Sequence, residues 1–390
     1  GEFMQALYNG SAAEIKSIIG RGKCTANSRL GNGKLTPLIV CAAQGHELAI
    51  RCLCELGANI NTPNDIGRTP LFLTSSGGHV PATSALIALG ANVRTPSLDG
   101  WTPIVVAASA GHVDIIKVLA AGGANINRIA KVGNDGATPL FTAADHGHVH
   151  AVNTLIALGA NVDLQLKSGA TAVLAAAVKG YTEVIEALAA ATADINLPLN
   201  GGCTPIFVAA SKGHANAIKA LANLGADINR PFKEDGITPI CTAVVNGHMA
   251  AVVMLCTLGA DVNAHTYRSG FTPVHYAAIR NDVGMLKMLY KVGADLGAAA
   301  SGVFGGYTAV DMAKVGPDSE AAKLIMRTLA KIEGECECCG CSTKKLSRCS
   351  RCNKVRYCSI ECQKKDYKKH RIECKTTAAA VAVALTFVSE

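Results

Sequence analysis

The chain has 390 residues, 49 % hydrophobic but only 4 % aromatic, and a formal net charge of +8. That charge is local: residues 338–375 carry 12 Lys/Arg against 3 Asp/Glu, while the other 25 basic and 26 acidic residues nearly cancel. Nucleic-acid binding therefore finds no support outside that short stretch. Nine of the 16 cysteines crowd into residues 336–374, and the other seven are scattered, mostly at apolar positions, which reads as a reduced, intracellular (cytoplasmic or nuclear) chain rather than a disulfide scaffold.

Taken in order, Gly1-Glu2-Phe3 ahead of Met4 reads as an expression scar. Residues 4–24 read as an N-terminal capping unit, or as what remains of a longer array. From there a short motif returns, Gly-x-Thr-Pro-apolar, with threonines at Thr36, Thr69, Thr102, Thr138, Thr171, Thr204, Thr238, Thr272 and Thr308. Glycine stands two before each threonine except the first, where Lys34 takes the place, and Ala172 and Ala309 replace the proline twice. Steps of 33 to 36 residues with Thr-Pro-Leu in the unit are the ankyrin period. The glycine allows the positive φ of a tight turn, the threonine caps a helix, and the proline loses no bond in the first helical turn. Gly57-Ala58-Asn59, Gly159-Ala160-Asn161 and Gly259-Ala260-Asp261 close the second helix of their repeats.

Nine units run to residue 331, so the array is expected over 4–331. The segments 128–136 and 297–306 are three residues longer than their counterparts, and such insertions belong on one face of a stack. The last unit, charged and ending near residue 331, reads as the closing cap a solenoid needs. His46, His79, His112, His148, His214 and His248 follow a glycine at one repeat position, which marks them as structural. The cluster His146, His148 and His150 lacks a cysteine or carboxylate constellation beyond Asp145, so it is not expected to hold a metal.

The array resembles ankyrin-repeat proteins, which act as protein-recognition scaffolds. That resemblance implies that partners meet the residue before each Thr-Pro. Here the row is Leu35, Arg68, Trp101, Ala137, Ala170, Cys203, Ile237, Phe271 and Tyr307. Trp101, Phe271 and Tyr307 are its candidate contacts, since exposed apolar side chains of this kind mark interaction sites. The other open reading folds these side chains onto adjacent fingers.

Residues 336–374 hold the ligand pairs Cys349/Cys352, Cys358/Cys362 and His370/Cys374. A first pair is either Cys336/Cys339 or Cys338/Cys341, and Gly340 directly after Cys339 favours the former. Eight nitrogen and sulfur ligands make two closed tetrahedral zinc sites, structural rather than catalytic. The spacing, Tyr357-Cys358-Ser359 with Cys362-Gln363, and the terminal His370-x3-Cys374 resemble the MYND zinc finger. The family's cross-braced pattern implies Cys336, Cys339, Cys358 and Cys362 on one zinc, and Cys349, Cys352, His370 and Cys374 on the other. It also implies a shallow groove for an extended proline-containing peptide, of the Pro-x-Leu-x-Pro kind, flanked by Gln363 and Tyr367 with Ser350 nearby. Tyr367 stands where the family usually has Trp. Thiolate ligation offsets part of the basic charge here, and the basic run around Lys368 reads as a solvated helix before a localisation signal.

These readings combine into an all-α chain: an ankyrin solenoid, then a small cross-braced zinc-binding domain over 332–377 and an apolar tail over 378–390, too short to span a bilayer. The expected role is a non-enzymatic adaptor with two zinc ions, one protein partner on the array and a second on the finger. The alternatives are a nuclear regulator using the basic finger on chromatin or nucleic acid, and a non-catalytic arm of a methyltransferase. The residues left over are too few for a methyltransferase domain of its own.

Overall fold

A computed structural model describes residues 1–22, 24–30, 33, 35–301, 306–313, 319–333, 347–348 and 356–357. It divides into two compact units, Gly1–Asn200 and Gly201–Glu390. The first unit opens with α1 (Glu2–Asn9) and α2 (Ala12–Gly20). Five helix pairs follow: α3 (Pro37–Gln44) and α4 (Glu47–Glu55), α5 (Pro70–Ser76) and α6 (Val80–Ala88), α7 (Pro103–Ser109) and α8 (Val113–Ala121), α9 (Pro139–Asp145) and α10 (Val149–Ala157), α11 (Ala172–Lys179) and α12 (Thr182–Ala190). The second unit holds α13 (Pro205–Lys212) and α14 (Ala215–Asn223), α15 (Pro239–Asn246) and α16 (Met249–Thr257), α17 (Pro273–Ile279) and α18 (Val283–Lys291), α19 (Ala309–Ala313) and α20 (Glu320–Glu333). Its described strands are β1 (Ser347–Arg348) and β2 (Arg356–Tyr357), paired antiparallel with Ser347 opposite Tyr357.

The threonines start the first helix of each pair for the expected reason. Thr36, Thr69, Thr138 and Thr171 accept from the amide three residues on, at 3.0–3.3 Å. Helix α11 begins at Ala172 in the register the prolines occupy elsewhere, so the cap suffices without the ring. Thr308 uses a reciprocal arrangement instead: its amide and hydroxyl both donate to Asp311 Oδ2, at 2.8 and 2.6 Å. Phe3 is buried in α1, so the leading tripeptide takes part in the fold whatever its origin.

Within each unit, like helices stack on like. Helices α3, α5, α7, α9 and α11 form one layer of the first unit, and α2, α4, α6, α8, α10 and α12 the other. In the second unit α13, α15, α17 and α19 stack, α14 meets α16, and α20 closes against α18 and α19. The core is thin and made of small and branched side chains: Ala107, Ala108, Ala143 and Ala144 are fully buried, as are Ile115, Ile116, Leu119 and Leu155. Those alanines let neighbouring helices approach closely, so each repeat buries its face only against the next.

Two ladders tie repeat to repeat. In the first, a histidine Nε2–H donates to a carbonyl of the preceding repeat: His46 to Tyr8 at 2.7 Å, His112 to Ser76 at 3.1 Å, His148 to Ser109 at 2.9 Å and His248 to Ser211 at 3.0 Å. In the second, Asn or Asp side chains accept from a backbone amide one repeat on, as in Asn27 with Asn59, Asn61 with Asn92, Asn127 with Asn161 and Asn263 with Asp295. Arg94 replaces the amide side chain in one repeat and instead donates to the Gly123 carbonyl through Nε and Nη2. The histidines are thus structural donors, as their fixed period suggests.

Candidate functional site

The row of residues before the threonines occupies the base of the fingers, and its backbone is in constant use. Eight of the nine close their fingers by offering a carbonyl to an amide at the finger's start: Leu35 to Leu30, Arg68 to Asn64, Trp101 to Ser97, Ala137 to Ala130, Ala170 to Leu166, Ile237 to Phe232, Phe271 to Thr266 and Tyr307 to Ala300, at 2.7–3.0 Å. A backbone bond constrains no side chain. The two insertions lie inside this closure, lengthening the loops between Ala130 and Ala137 and between Ala300 and Tyr307. β-Bridges Ala130–Ala137 and Ala299–Thr308 hold those longer fingers shut.

The side chains of the row are placed unequally. Trp101 is half-buried, and Tyr307 is exposed at 54 %. Phe271 departs from the expected exposed row: at 8 % exposure its ring stacks on His275 at 5.3 Å and meets Tyr276 edge-on at 5.6 Å. The reason is local. The residue before the threonine lies over the residue three after it, and in this repeat that residue is an aromatic acceptor for the ring. Arg68 repeats the relationship, with its guanidinium 5.3 Å from the centre of the Phe72 ring.

His275 makes the only reciprocal histidine cap among the described residues. Its Nδ1 accepts from the Thr272 amide at 3.1 Å and from the hydroxyl at 2.9 Å, and Nε2–H donates to the Tyr307 carbonyl at 3.2 Å. Burial holds its pKa below the usual imidazole value, so it is neutral.

Six of the repeat cysteines are held towards the protonated thiol. Burial pushes Cys41 and Cys256 up to about 12 and Cys241 to about 11, and it also raises Cys52, Cys54 and Cys203. A protonated buried thiol is a small hydrophobe. In the histidine cluster, His146 Nδ1–H donates to the Thr142 carbonyl at 2.9 Å and the His146 and His148 rings stack in parallel at 6.2 Å. Those bonds commit one nitrogen of each ring to a backbone carbonyl.

Cys336, Cys338, Cys339, Cys341, Cys349, Cys352, Cys358, Cys362, His370 and Cys374, with Ser350, Gln363 and Tyr367, lie outside the described residues. What is described of that region is the backbone pairing of β1 with β2. In chain order Cys349 and Cys352 fall between these strands and Cys358 directly follows the second.

Capped helix pairs, closed fingers and inter-repeat ladders at a 33-residue period define an ankyrin-repeat protein. The family profile "Ankyrin repeats (3 copies)" matches residues 3–97, 76–165, 150–232 and 229–300, and the chain belongs to that family. The profile of the MYND finger matches residues 336–374, a zinc-binding domain whose soft sulfur donor set fits Zn²⁺. The crystal structure of the human ASB11 ankyrin repeat domain matches with a TM-score of 0.53 and 25 % identity, covering 58 % of this chain and 99 % of that one. Among curated proteins, N-lysine methyltransferase SMYD2-A of Danio rerio is 41 % identical over 46 residues, 12 % of this chain and 11 % of the relative. SET domain-containing protein 14 of Caenorhabditis elegans is 39 % identical over 61 residues, 15 % of this chain and 14 % of the relative. The chain thus spans only about a tenth to a seventh of the curated relatives it matches. Among the described residues no helix is long and apolar enough to cross a membrane.

Proposed function

We propose that this protein is a non-enzymatic adaptor: the finger row of the ankyrin array holds one protein partner and the MYND finger a second. Ankyrin repeats and a MYND finger are both interaction modules, which supports the coarse role. One observation carries the finer one. Eight residues that precede a threonine close their fingers through the backbone, so that closure leaves their side chains free to vary where the surrounding threonines, histidines and asparagines are tied to packing. Trp101 and Tyr307 then supply aromatic surface of the type that anchors interfaces. The second module would fold around two zinc ions, Cys336, Cys339, Cys358 and Cys362 on one and Cys349, Cys352, His370 and Cys374 on the other. Zinc supplies folding energy there and no catalysis. That division between the two ions is what the cross-braced pattern of the MYND family implies.

The test is capture of binding proteins from cells by the full chain, compared between the wild type and Trp101→Ala. Loss of the captured partner at an unchanged melting temperature supports the reading. Intact capture with a melting temperature several degrees lower makes Trp101 a packing residue and overturns it.

A second reading rests on the short similarity to SMYD2 and SET-domain proteins. In it, the finger recruits this chain to the peptides that methyltransferase-linked MYND fingers bind, as a non-catalytic arm. Mixing the chain with a methyl donor should then give no transfer.

A further inference from the structure

We propose that Arg68 is a carboxylate-binding site, and that the array's partner is an extended protein segment carrying an Asp or Glu beside an apolar residue. The inference rests on the adaptor reading and specifies the chemistry of the same finger row. Arg68 is the only charged residue in that row; every other member is apolar or aromatic. Its guanidinium carbon stands over the Phe72 ring, 5.3 Å from the centroid, so one face of the fork is turned to protein.

The hydrogen-bonding capacity of that fork is largely unspent. Among the described residues Arg68 Nε is one of two buried side-chain nitrogen or oxygen atoms with no hydrogen-bond partner. Its neighbour Asp99 approaches Nη2 only to 4.0 Å, between side chains that are 40 % and 60 % exposed, which is a screened and weak pair. An unmade bond on a buried donor is a standing cost that a ligand can remove. A carboxylate is the group that matches the fork, because its two oxygens accept from Nε and Nη2 together. Binding would turn the guanidinium enough to bring Nε to the ligand and would displace Asp99.

The surroundings say what should stand beside that carboxylate. In the next finger Trp101 is half-buried, and Leu98, at 76 % exposure the most exposed large apolar side chain described, lies over Gly67. Leu98 also donates its amide to the Ile66 carbonyl at 3.2 Å, joining the two finger tips, and Ile66 is itself exposed at 42 %. Apolar surface of this kind flanks one cationic fork, so the complementary segment is acidic at one residue and apolar at its neighbour. A wholly basic ligand matches neither half, and a polyanionic one matches only the fork.

The experiment uses the full chain throughout. A random library of twelve-residue peptides is selected on the wild type, and the enriched peptide is titrated by fluorescence anisotropy beside its Glu→Gln and Glu→Lys forms. The wild type should enrich Asp or Glu next to an apolar residue and prefer the Glu form over the Gln form by about fivefold. Arg68→Glu should reverse the preference towards the Lys form. Arg68→Lys, which keeps the charge and loses the fork, should bind more weakly than the wild type. Asp99→Asn should tighten the acidic peptide by about twofold, since it removes the competing carboxylate. That gain is an effect a purely structural Arg68 would not show. Enriched peptides that a Pro-x-Leu-x-Pro peptide does not displace and that lack acidic residues, or an unaltered preference in Arg68→Glu at wild-type melting temperature, overturn the site. If those peptides still depend on Trp101, the adaptor reading survives; if no enriched peptide depends on either residue, both fail.

Discussion

The Thr272 hydroxyl lies 2.9 Å from His275 Nδ1, and the same ring reaches the next repeat through Nε2 and the Tyr307 carbonyl. One neutral imidazole thus caps α17 and ties two fingers together, and it must stay neutral to accept at Nδ1. Burial depresses its folded pKa below the unfolded value near 6.5. The unfolded chain therefore binds the proton first as pH falls. The stability this residue contributes is full above about pH 6.5 and is lost as pH drops from there towards the folded pKa. Thermal melts at pH 7.5 and 5.5 check this: the wild type should lose more stability on acidification than His275→Gln, and equal losses would exclude the residue.

Gly45 and His79 form an interlock that can be broken from either side. Gly45 has φ +75° and a Cβ there would collide with the His79 ring. Gly45→Ala should cost about 1–3 kcal/mol from backbone strain and displacement of the ring. Removing the ring with His79→Ala should recover part of that loss in the double mutant but not the strain. Denaturant midpoints for the four proteins give the coupling, and strictly additive losses would show that ring and glycine are independent.

Metal content gives the third expectation. Fresh full-length protein should contain two zinc ions, and Cys349→Ser should remove at least one and unfold the finger, because metal-binding energy is folding energy in such modules. The helical signal of the repeats should persist, since each contacts only its neighbours. Elemental analysis returning one zinc or none for the wild type would overturn the eight-ligand assignment.

The fourth concerns Tyr367. If Gln363 and Tyr367 flank a groove for a proline-containing peptide, the smaller ring buries less area than Trp would, a loss of about 1 kcal/mol or several-fold in affinity. Titrating the full chain with a Pro-x-Leu-x-Pro peptide should show tighter binding for Tyr367→Trp and none for Tyr367→Ala. Equal affinities for all three would mean the groove is unused.

Much of this was legible without coordinates because the period does the work. A threonine with glycine two before it marks the entry to a helix, and all eight such glycines, from Gly67 to Gly306, do have positive φ. The histidines at one fixed position likewise declared themselves structural, although their acceptors, carbonyls of the preceding repeat, could not be read from the chain. The row before the threonines was visible as variable, but the fate of each member was not. Phe271 is buried because His275 happens to stand three residues after Thr272, and Tyr307 is exposed because Asp311 stands at the equivalent place. Arg68 was named as one of that row without any role, because only tertiary structure shows a buried Nε with no partner.

What the sequence determined by itself was therefore everything set by local bonding and repetition: the helix starts, the finger turns and the stacking order. What only the tertiary structure decided was which side of a freely varying residue meets protein and which meets solvent. Local rules constrain the backbone at those positions, whereas the side chain answers to whatever the neighbouring repeat presents.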